Sequence, residues 1–288
     1  MRIARRDFRV LLVAFFTLAL SSLASAQIPG PLAGTMFGSG QRALVVVLHG
    51  DLSNGRDATY HRSFAEDIAR RNSGVVAVAL VRPGYSGGRG LQSAGSNNNR
   101  RDHYTRRNND LVAESIRALQ RATGARRVIV VGHSGGAAQV GAIIGRFPQL
   151  VDSAVLVSCP CDIGRWRSMR GRGAWQNSES PSQFASRVPR STRVIAVVGS
   201  NDSNTAPVLS QEYIAGLQAR GVPAGVTVVR GASHDFNGSL RSTALAAVEG
   251  EQGFGCARIV SGDARDAERG DAAAACIGRP RGGGRLRR

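Results

Sequence analysis

Six short, Val-rich runs of consecutive apolar residues recur along the chain. Runs that are apolar at successive positions are typical of strands buried on both faces of a parallel sheet. Between the runs, apolar residues recur at helical spacing. The predicted strands are 43–48, 75–81, 127–131, 153–157, 193–198 and 226–229. The predicted helices are 58–71, 108–123, 134–147, 207–220 and 239–250.

This alternation of strands and helices predicts the α/β class. The expected architecture is a doubly wound, mostly parallel sheet with right-handed crossovers and helices on both faces. Ligands of such sheets bind at the carboxyl ends of the strands. Functional residues are therefore expected in the loops that follow the predicted strands.

The first 26 residues have the composition of an export signal. Four arginines precede a short apolar run at 10–20, and small residues at 24–26 provide a cleavage site. The run spans about 11 residues, whereas a membrane-spanning helix needs roughly 20; the alternative is an uncleaved membrane anchor. Arg5 and Arg6 resemble a twin-arginine signal, so the export route stays open. The mature protein is expected to be periplasmic or secreted, where disulfides persist.

The remaining chain divides into three parts. Residues 27–42 are rich in Gly and Pro and are predicted as an entry arm, residues 43–255 as one globular domain, and residues 256–288 as an Arg-, Gly- and Ala-rich tail. All 38 basic residues are arginine, and with 20 acidic residues the formal net charge is +18. Because the arginines are spread along the chain, no nucleic-acid partner is expected. The tail is a candidate contact with anionic envelope surfaces.

The strongest chemical signal is the sequence Gly132-His133-Ser134-Gly135-Gly136. It follows a predicted strand and opens a predicted helix, which is the context of a nucleophile elbow. Glycines allow the tight turn that holds Ser134 in a strained conformation, and the helix N-terminus presents free N–H groups to an oxyanion. The alternative is a glycine-rich turn with an incidental serine.

A serine nucleophile needs a base and a carboxylate that orients the base. Asp202 and His234 each follow a predicted strand, in the chain order that this elbow requires. Both are therefore expected at the same sheet edge as Ser134. Asp202 has the alternative role of a helix cap. Asp235 is too close in sequence to His234 to orient it easily.

The other histidines and the oxyanion donors are assigned by position. His61 and His103 lie in polar stretches and are predicted at the surface, and His133 is held inside the elbow. One oxyanion donor is expected to be the N–H of Gly135, and the other to come from the loop at 49–55. The alternative for this loop is a plain turn.

From about residue 43 to 250 the chain resembles the α/β-hydrolase superfamily, especially its small esterase-like and prolyl-oligopeptidase-like members. The resemblance rests on His49-Gly50, Arg82-Pro83-Gly84-Tyr85, the elbow, Asp202 and His234, all in family order. It implies the second oxyanion N–H at Asp51, and it places the neighbouring Leu52 and Tyr85 in the pocket lining. It also offers Asp162 as a rival acid. The acidic Asp51, the lack of two evident strands before residue 43 and the lack of a propeller domain depart from the family pattern.

The segment 158–192 is where relatives insert a lid. It contains Trp166 and Trp175 together with a cluster of arginines at 165, 167, 170 and 172. We expect a short lid and an open cleft lined by His133 and Trp166, with an arginine rim that favours acidic or carboxylate-bearing substrates. The alternative places the tryptophans in the core and the arginines in water.

The four cysteines lack the spacing of a metal site, and no cofactor is expected. Cys159 and Cys161 form a strained disulfide, a reactive pair or two buried thiols. Cys256 and Cys276 are candidates for a bridge that holds the tail.

These patterns predict a secreted serine hydrolase that cleaves carboxylic esters through an acyl-enzyme. The alternatives are a serine peptidase of prolyl-oligopeptidase type, acting on short peptides, and a non-catalytic binding protein on the same fold.

Overall fold

The computed structural model describes residues 28–52 and 55–251. The predicted export signal, the predicted tail, and Cys256 and Cys276 lie outside the described residues. None of the helices within the described ranges has the length and apolar character needed to cross a membrane.

Strands and helices alternate through most of the described chain. The strands are β1 Gly34–Gly38, β2 Ala43–Leu48, β3 Val75–Leu80, β4 Ser86–Gly88, β5 Leu91–Gln92, β6 Val128–His133, β7 Ser153–Val157, β8 Arg193–Gly199 and β9 Ala224–Val229. The helices are α1 Arg62–Arg71, α2 Arg106–Thr123, α3 Gly135–Arg146, α4 Ile163–Met169, α5 Pro181–Phe184, α6 Pro207–Gln218 and α7 Gly238–Glu251. Short 3-10 turns occupy Asn98–Arg100 and Ala185–Arg187.

Seven of the strands form one sheet in the order β1-β3-β2-β6-β7-β8-β9. All neighbours pair in parallel except β1, which is antiparallel to β3. Side chains alternate between two buried clusters, one on each face of the sheet. Helices α2, α3 and α6 contribute to one cluster, and α1 and α7 contribute to the other. The predicted fold class is confirmed.

The segment predicted as an entry arm contributes a strand, which corrects the sequence-based interpretation. β1 pairs along its whole length with β3, from Gly34 opposite Leu80 to Gly38 opposite Val76. Before it, Ile28 and Leu32 are buried in the core. Only one of the five β1 residues is buried, because the strand lies at the sheet edge. The β1 sequence lacks the continuous apolar run by which the other six strands were predicted.

A short lid connects β7 to β8, in the position expected from the sequence. It consists of α4, α5 and the 3-10 turn Ala185–Arg187. Before α4, Cys159 and Cys161 are buried and joined by a disulfide, which is one of the three states considered from the sequence. Because α4 follows β7 directly, the lid lies over the carboxyl ends of the central strands.

Candidate active site

Ser134 occupies the turn between β6 and α3. Its backbone has φ 52° and ψ −119°, a left-handed region that L-residues rarely adopt. The turn is stabilised by a hydrogen bond from the Ser134 N–H to the Val157 carbonyl, at 2.8 Å. A Cβ on Gly132 would lie 2.6 Å from Ala137 Cα, and one on Gly136 would lie 2.5 Å from the His49 carbonyl oxygen. Glycine is therefore required at both positions for the elbow to close.

The structure brings together the three residues predicted as nucleophile, base and acid. His234 Nε2 lies 3.0 Å from Ser134 Oγ. On the other side of the ring, His234 Nδ1 lies 3.0 and 2.9 Å from the two carboxylate oxygens of Asp202. The three side chains come from loops after β6, β8 and β9, which explains their convergence at one edge of the sheet.

Asp202 is a buried carboxylate whose oxygens are hydrogen-bonded. Its Oδ1 accepts from the backbone N–H groups of Asn204 and Thr205, at 3.0 and 2.8 Å, and Oδ2 accepts from the Thr205 hydroxyl at 2.8 Å. Burial raises the pKa of Asp202, but the hydrogen bond and charge of His234 lower it more, to about 2. Asp202 is therefore ionised at neutral pH. It does not cap α6, whose N-cap residue is Ala206.

The other acidic candidates lie away from the imidazole nitrogens. Asp162 caps α4 by accepting from the Arg165 N–H at 2.9 Å. Asp235 lines the cleft beside His234. Among the residues that the structure describes, only Asp202 places a carboxylate within ion-pair distance of the His234 ring.

His61 and His103 are buried, so the prediction that they lie at the surface is wrong. His61 Nε2 hydrogen bonds with the Leu80 carbonyl at 3.1 Å. His103 Nε2 lies 3.2 Å from an Asp51 carboxylate oxygen. The prediction was based on the polar residues next to each histidine in sequence. Both histidines are instead covered by segments that are distant in sequence.

The loop after β2 approaches the elbow closely. A Cβ on Gly50 would lie 3.0 Å from Ser134 Cβ, so this loop position also requires a small residue. Neither the N–H of Asp51 nor that of Gly135 donates to another described residue. Gly135 is the first residue of α3, where N–H groups lack intrahelical acceptors. Both groups remain candidates for the oxyanion hole.

The Asp51 side chain takes part in a buried network behind this loop. Arg82 Nη1 donates to Asp51 Oδ1 at 2.7 Å, and the Tyr104 hydroxyl donates to Oδ2 at 2.6 Å. Arg82 is 1% exposed, and its Nε donates to Gln139 Oε1 at 2.6 Å. Burial raises the pKa of Asp51, but the charges of Arg82 and His103 lower it well below its usual value. The carboxylate next to the candidate oxyanion hole is thus ionised and paired with a buried cation.

A second chain of hydrogen bonds involves His133. The Gly50 N–H donates to the Tyr60 hydroxyl oxygen, and that oxygen lies 2.7 Å from His133 Nδ1. His133 Nε2 lies 3.0 Å from the His234 carbonyl oxygen. This chain connects the loop after β2, the elbow and the loop that carries His234. Its Tyr60 member was not identified from the sequence, where no motif surrounds it.

Ser134 lines a cleft of about 1130 Å³ beneath the lid. Of the four residues predicted to line the pocket, His133 and Trp166 line this cleft, whereas Tyr85 and Leu52 do not. Tyr85 is buried under the loop after β2, and its hydroxyl lies 3.2 Å from His103 Nε2. Leu52 packs against the small cluster that contains Tyr85. The cleft lining consists of Gly50, Asp51, Tyr60, Asn99, Arg100, Arg101, His133, Ser134, Trp166, Arg167, Arg170, Arg172, Trp175, Asn204, His234, Asp235, Phe236 and Asn237.

Both tryptophans of the lid face the cleft and also pack. Their rings lie 5.5 Å apart at 76°, and Trp166 Nε1 donates to the Asn204 carbonyl at 2.8 Å. The two alternatives drawn from the sequence, cleft surface and core packing, therefore both apply to Trp166. No group of His, Cys, Asp and Glu side chains in the described ranges is arranged to hold a metal ion.

Solved structures of hydrolases share this fold at low sequence identity. Esterase PE8 is 18% identical with a TM-score of 0.57, over 76% of this chain and 98% of that one. The monoacylglycerol lipase of Paleococcus ferrophilus is 16% identical with a TM-score of 0.56, over 78% and 99%. The acylaminoacyl peptidase of Pyrococcus horikoshii is 16% identical with a TM-score of 0.58, over 76% of this chain but 39% of that one.

No curated protein has a sequence that matches this chain. The family model for the alpha/beta hydrolase fold matches residues 43–193, more than half of the chain. That range begins with β2 and ends at the start of β8, so it includes the elbow. Together with the sheet order, this match shows that the chain belongs to the alpha/beta hydrolase fold family.

Proposed function

We propose that the protein is a serine hydrolase that cleaves carboxylic esters through an acyl-enzyme. The observation that carries the proposal is the 3.0 Å separation of Ser134 Oγ and His234 Nε2, in a residue pair 100 positions apart. Ser134 attacks the ester carbonyl while its proton passes to His234 Nε2. Asp202 holds the ring in the required tautomer and stabilises the imidazolium that forms.

The N–H groups of Gly135 and Asp51 donate hydrogen bonds to the oxyanion of the tetrahedral intermediate and stabilise its negative charge. His234 then protonates the leaving alcohol, and the acyl group remains on Ser134. Water, deprotonated by His234, attacks the acyl-enzyme and releases the acid. The Asp51 carboxylate does not oppose the oxyanion strongly, because Arg82 pairs with it at 2.7 Å.

An ester is favoured over a peptide as substrate by the extent of the structural matches. The chain covers 98% of esterase PE8 and 99% of the monoacylglycerol lipase, but only 39% of the acylaminoacyl peptidase. A peptidase is the second candidate, since the matched part of the acylaminoacyl peptidase has the same fold. A panel of short peptide amides assayed beside esters separates the two.

We also propose that the protein is exported and acts in the periplasm or outside the cell. The disulfide between Cys159 and Cys161 supports this location, because disulfides persist in oxidising compartments. N-terminal sequencing of protein recovered from the periplasm or medium is expected to begin at Gln27. Recovery of the unprocessed chain from the cytoplasm would contradict export.

The serine mechanism is tested by Ser134→Ala. We expect turnover of short p-nitrophenyl esters to fall by about three to six orders of magnitude, because no other nucleophile replaces the hydroxyl. Labelling by a fluorophosphonate should disappear with it. Ser239→Ala, at an exposed position of α7 outside the cleft, is the matched control and should retain both signals. Full activity of Ser134→Ala, or a wild-type protein that does not label, would contradict the proposal and favour a non-catalytic binding protein.

A further inference from the structure

We propose that the cleft selects esters that carry a carboxylate on the part of the substrate bound beneath the lid, and that lid arginines bind this carboxylate. The inference rests on the proposed function and specifies its substrate class. Arginine suits this role because its planar guanidinium binds a carboxylate through two parallel hydrogen bonds.

The cleft has an excess of unpaired positive charge. Five arginines line it, at positions 100, 101, 167, 170 and 172, against two aspartates. One of these aspartates, Asp51, is already paired with Arg82. Within the described ranges, no carboxylate lies within ion-pair distance of the five cleft arginines, whereas Arg146, Arg165 and Arg241 elsewhere each have such a partner. The cleft therefore contains cations that the protein itself does not neutralise.

The two segments that carry these arginines are joined to each other. Asp102 accepts from the backbone N–H groups of Gln176, Asn177 and Ser178 in the lid, at 2.9, 2.9 and 2.8 Å. The Asp102 carboxylate thus attaches the loop that carries Arg100 and Arg101 to the end of the lid segment. A connection of this kind maintains the spacing of the arginines without a ligand.

The loop before Asp102 also has a constrained backbone. Asn98, Asn99 and Arg100 have φ values of 46°, 51° and 63°, and Asp102 has φ 44°. Non-glycine residues in this region cost free energy and persist only where surrounding contacts impose them. Such strain is typical of loops whose side chains are positioned for a ligand.

The lid arginines are ordered by contacts along their stems. The Arg167 guanidinium lies 5.0 Å from the centre of the Trp175 ring, and its Nε donates to the Gly173 carbonyl at 2.8 Å. Arg170 Nη1 donates weakly to the carbonyls of Ser203 and Asn204, at 3.4 and 3.3 Å. Within the described residues, neither Nη atom of Arg167 and only one Nη atom of Arg170 forms a hydrogen bond. The remaining Nη groups are therefore available to a substrate.

Like charges are crowded in this part of the cleft. Partial burial and the charges of Arg172 and Arg170 lower the pKa of Arg167, and the opposing charge of Asp102 offsets only part of this effect. A carboxylate placed among the three guanidinium groups would reduce their mutual repulsion. Binding of an anionic substrate is therefore favoured over that of a neutral substrate of the same size.

The test compares two esters that differ in one charge. One is the mono-p-nitrophenyl ester of adipic acid, and the other is the methyl ester of that compound, which is neutral. For the wild-type protein we expect kcat/KM to be about tenfold higher for the acid than for the neutral ester. The difference should come mainly from a lower KM, because a hydrogen bond to a charged group contributes about this much binding free energy. The preference should decrease as salt is added, because part of it is electrostatic.

The arginines are tested by Arg167→Gln and Arg170→Gln, singly and together. We expect the ratio of kcat/KM for acid over neutral ester to fall about tenfold in the double variant. Arg165→Gln is the matched control, because Arg165 lies on the same helix but pairs with Glu212 and does not line the cleft. Its ratio should equal that of the wild type. Fluorophosphonate labelling of Ser134 in each variant verifies that the site is folded.

The outcomes separate this inference from the proposed function. A wild-type protein that labels and hydrolyses the neutral ester equally well or better overturns the carboxylate selection alone. If the double variant keeps the wild-type ratio of kcat/KM for acid over neutral ester, the role of the lid arginines is overturned. The same holds if Arg165→Gln lowers this ratio as much as the double variant does. If neither ester is hydrolysed and Ser134 does not label, the proposed function fails and the inference fails with it.

Discussion

His133 lies between Gly132 and the proposed nucleophile Ser134, and its hydrogen-bond partners determine its protonation. The His234 carbonyl can only accept, so His133 Nε2 carries the proton and donates to it. Nδ1 is then an acceptor, and the Tyr60 hydroxyl donates to it. Burial and the neighbouring His234 lower the pKa of His133 to about 4, in agreement with a neutral ring. His133 thus acts as a positioning residue for the loop that carries His234.

His133→Phe preserves the ring that stacks on Phe236 at 5.1 Å but removes both hydrogen bonds. We expect kcat to fall about tenfold with little change in KM, since one to two hydrogen bonds hold the base in place. Tyr60→Phe removes the hydroxyl from the same chain. The double variant should lose less than the sum of the two single losses in free energy, because both act on one chain. If the two losses, measured as free energies from steady-state kinetics, add up in the double variant, the hydrogen bonds of Tyr60 and His133 do not act as a unit.

Single substitutions can also decide whether Asp202 or Asp162 is the acid that orients His234. Asp202→Asn keeps the shape of the side chain but removes the charge that stabilises the imidazolium. We expect kcat to fall by about two to four orders of magnitude. Asp162→Asn is the matched control, because Asn still caps α4 and kcat should not change. Equal losses of kcat in the two variants would contradict the assignment of Asp202.

At the scale of elements, the Arg82 side chain links four parts of the fold behind the elbow. Arg82 follows β3, and it contacts the loop after β2 through Asp51 and α3 through Gln139. Tyr104, just before α2, donates to the same Asp51 carboxylate. These contacts hold the Asp51 carboxylate against Arg82 and Tyr104 at the edge of the cleft. Its backbone N–H can then serve the oxyanion while its charge is neutralised.

Arg82→Met removes the cation and leaves the Asp51 carboxylate without its partner. We expect the free energy of unfolding to fall by about 3–5 kcal/mol, as for other broken buried pairs. Turnover should also fall, because an uncompensated negative charge then lies beside the oxyanion hole. The double variant Asp51→Asn with Arg82→Met should recover most of the stability in urea unfolding. No recovery would mean that the two residues do not stabilise the fold as a pair.

At the scale of the whole molecule, the described interior contains three histidines whose pKa values are lowered. Burial lowers the pKa of His61 to about 3 and that of His133 to about 4, and that of His49 well below its usual value. In the unfolded chain the same groups take up protons near pH 6.5, as free histidines do. The folded state therefore binds fewer protons than the unfolded state between these values.

Stability is accordingly expected to depend on pH below neutrality. It should be highest above about pH 6.5 and decline as the pH falls toward 4, because protonation then favours the unfolded chain. His61→Phe removes one of the titrating groups, so the urea midpoint of this variant should change less between pH 7 and pH 4.5. Each unit of pKa difference corresponds to about 1.4 kcal/mol. A variant with the same pH slope as the wild type would contradict neutral burial of His61.

Much of the architecture follows from local patterns in the sequence. The Val-rich runs predict six of the seven strands of the large sheet. The central strands are buried on both faces and require consecutive apolar residues, whereas β9 has such a run although it lies at the sheet edge. The glycines of the elbow predict the strained turn at Ser134, and the positions of Asp202 and His234 after strands predict their convergence. These properties depend on residues that are neighbours in sequence, or on a general rule of sheet topology.

The remaining features depend on contacts between residues far apart in the chain. The edge strand β1, the burial of His61 and His103, and the hydrogen bonds of Tyr60 and Tyr104 leave no periodic pattern or motif. The same holds for the Asp51–Arg82 pair and for which lid arginines face the cleft. Only the tertiary structure decided these, because burial and pairing depend on what distant segments place beside a side chain.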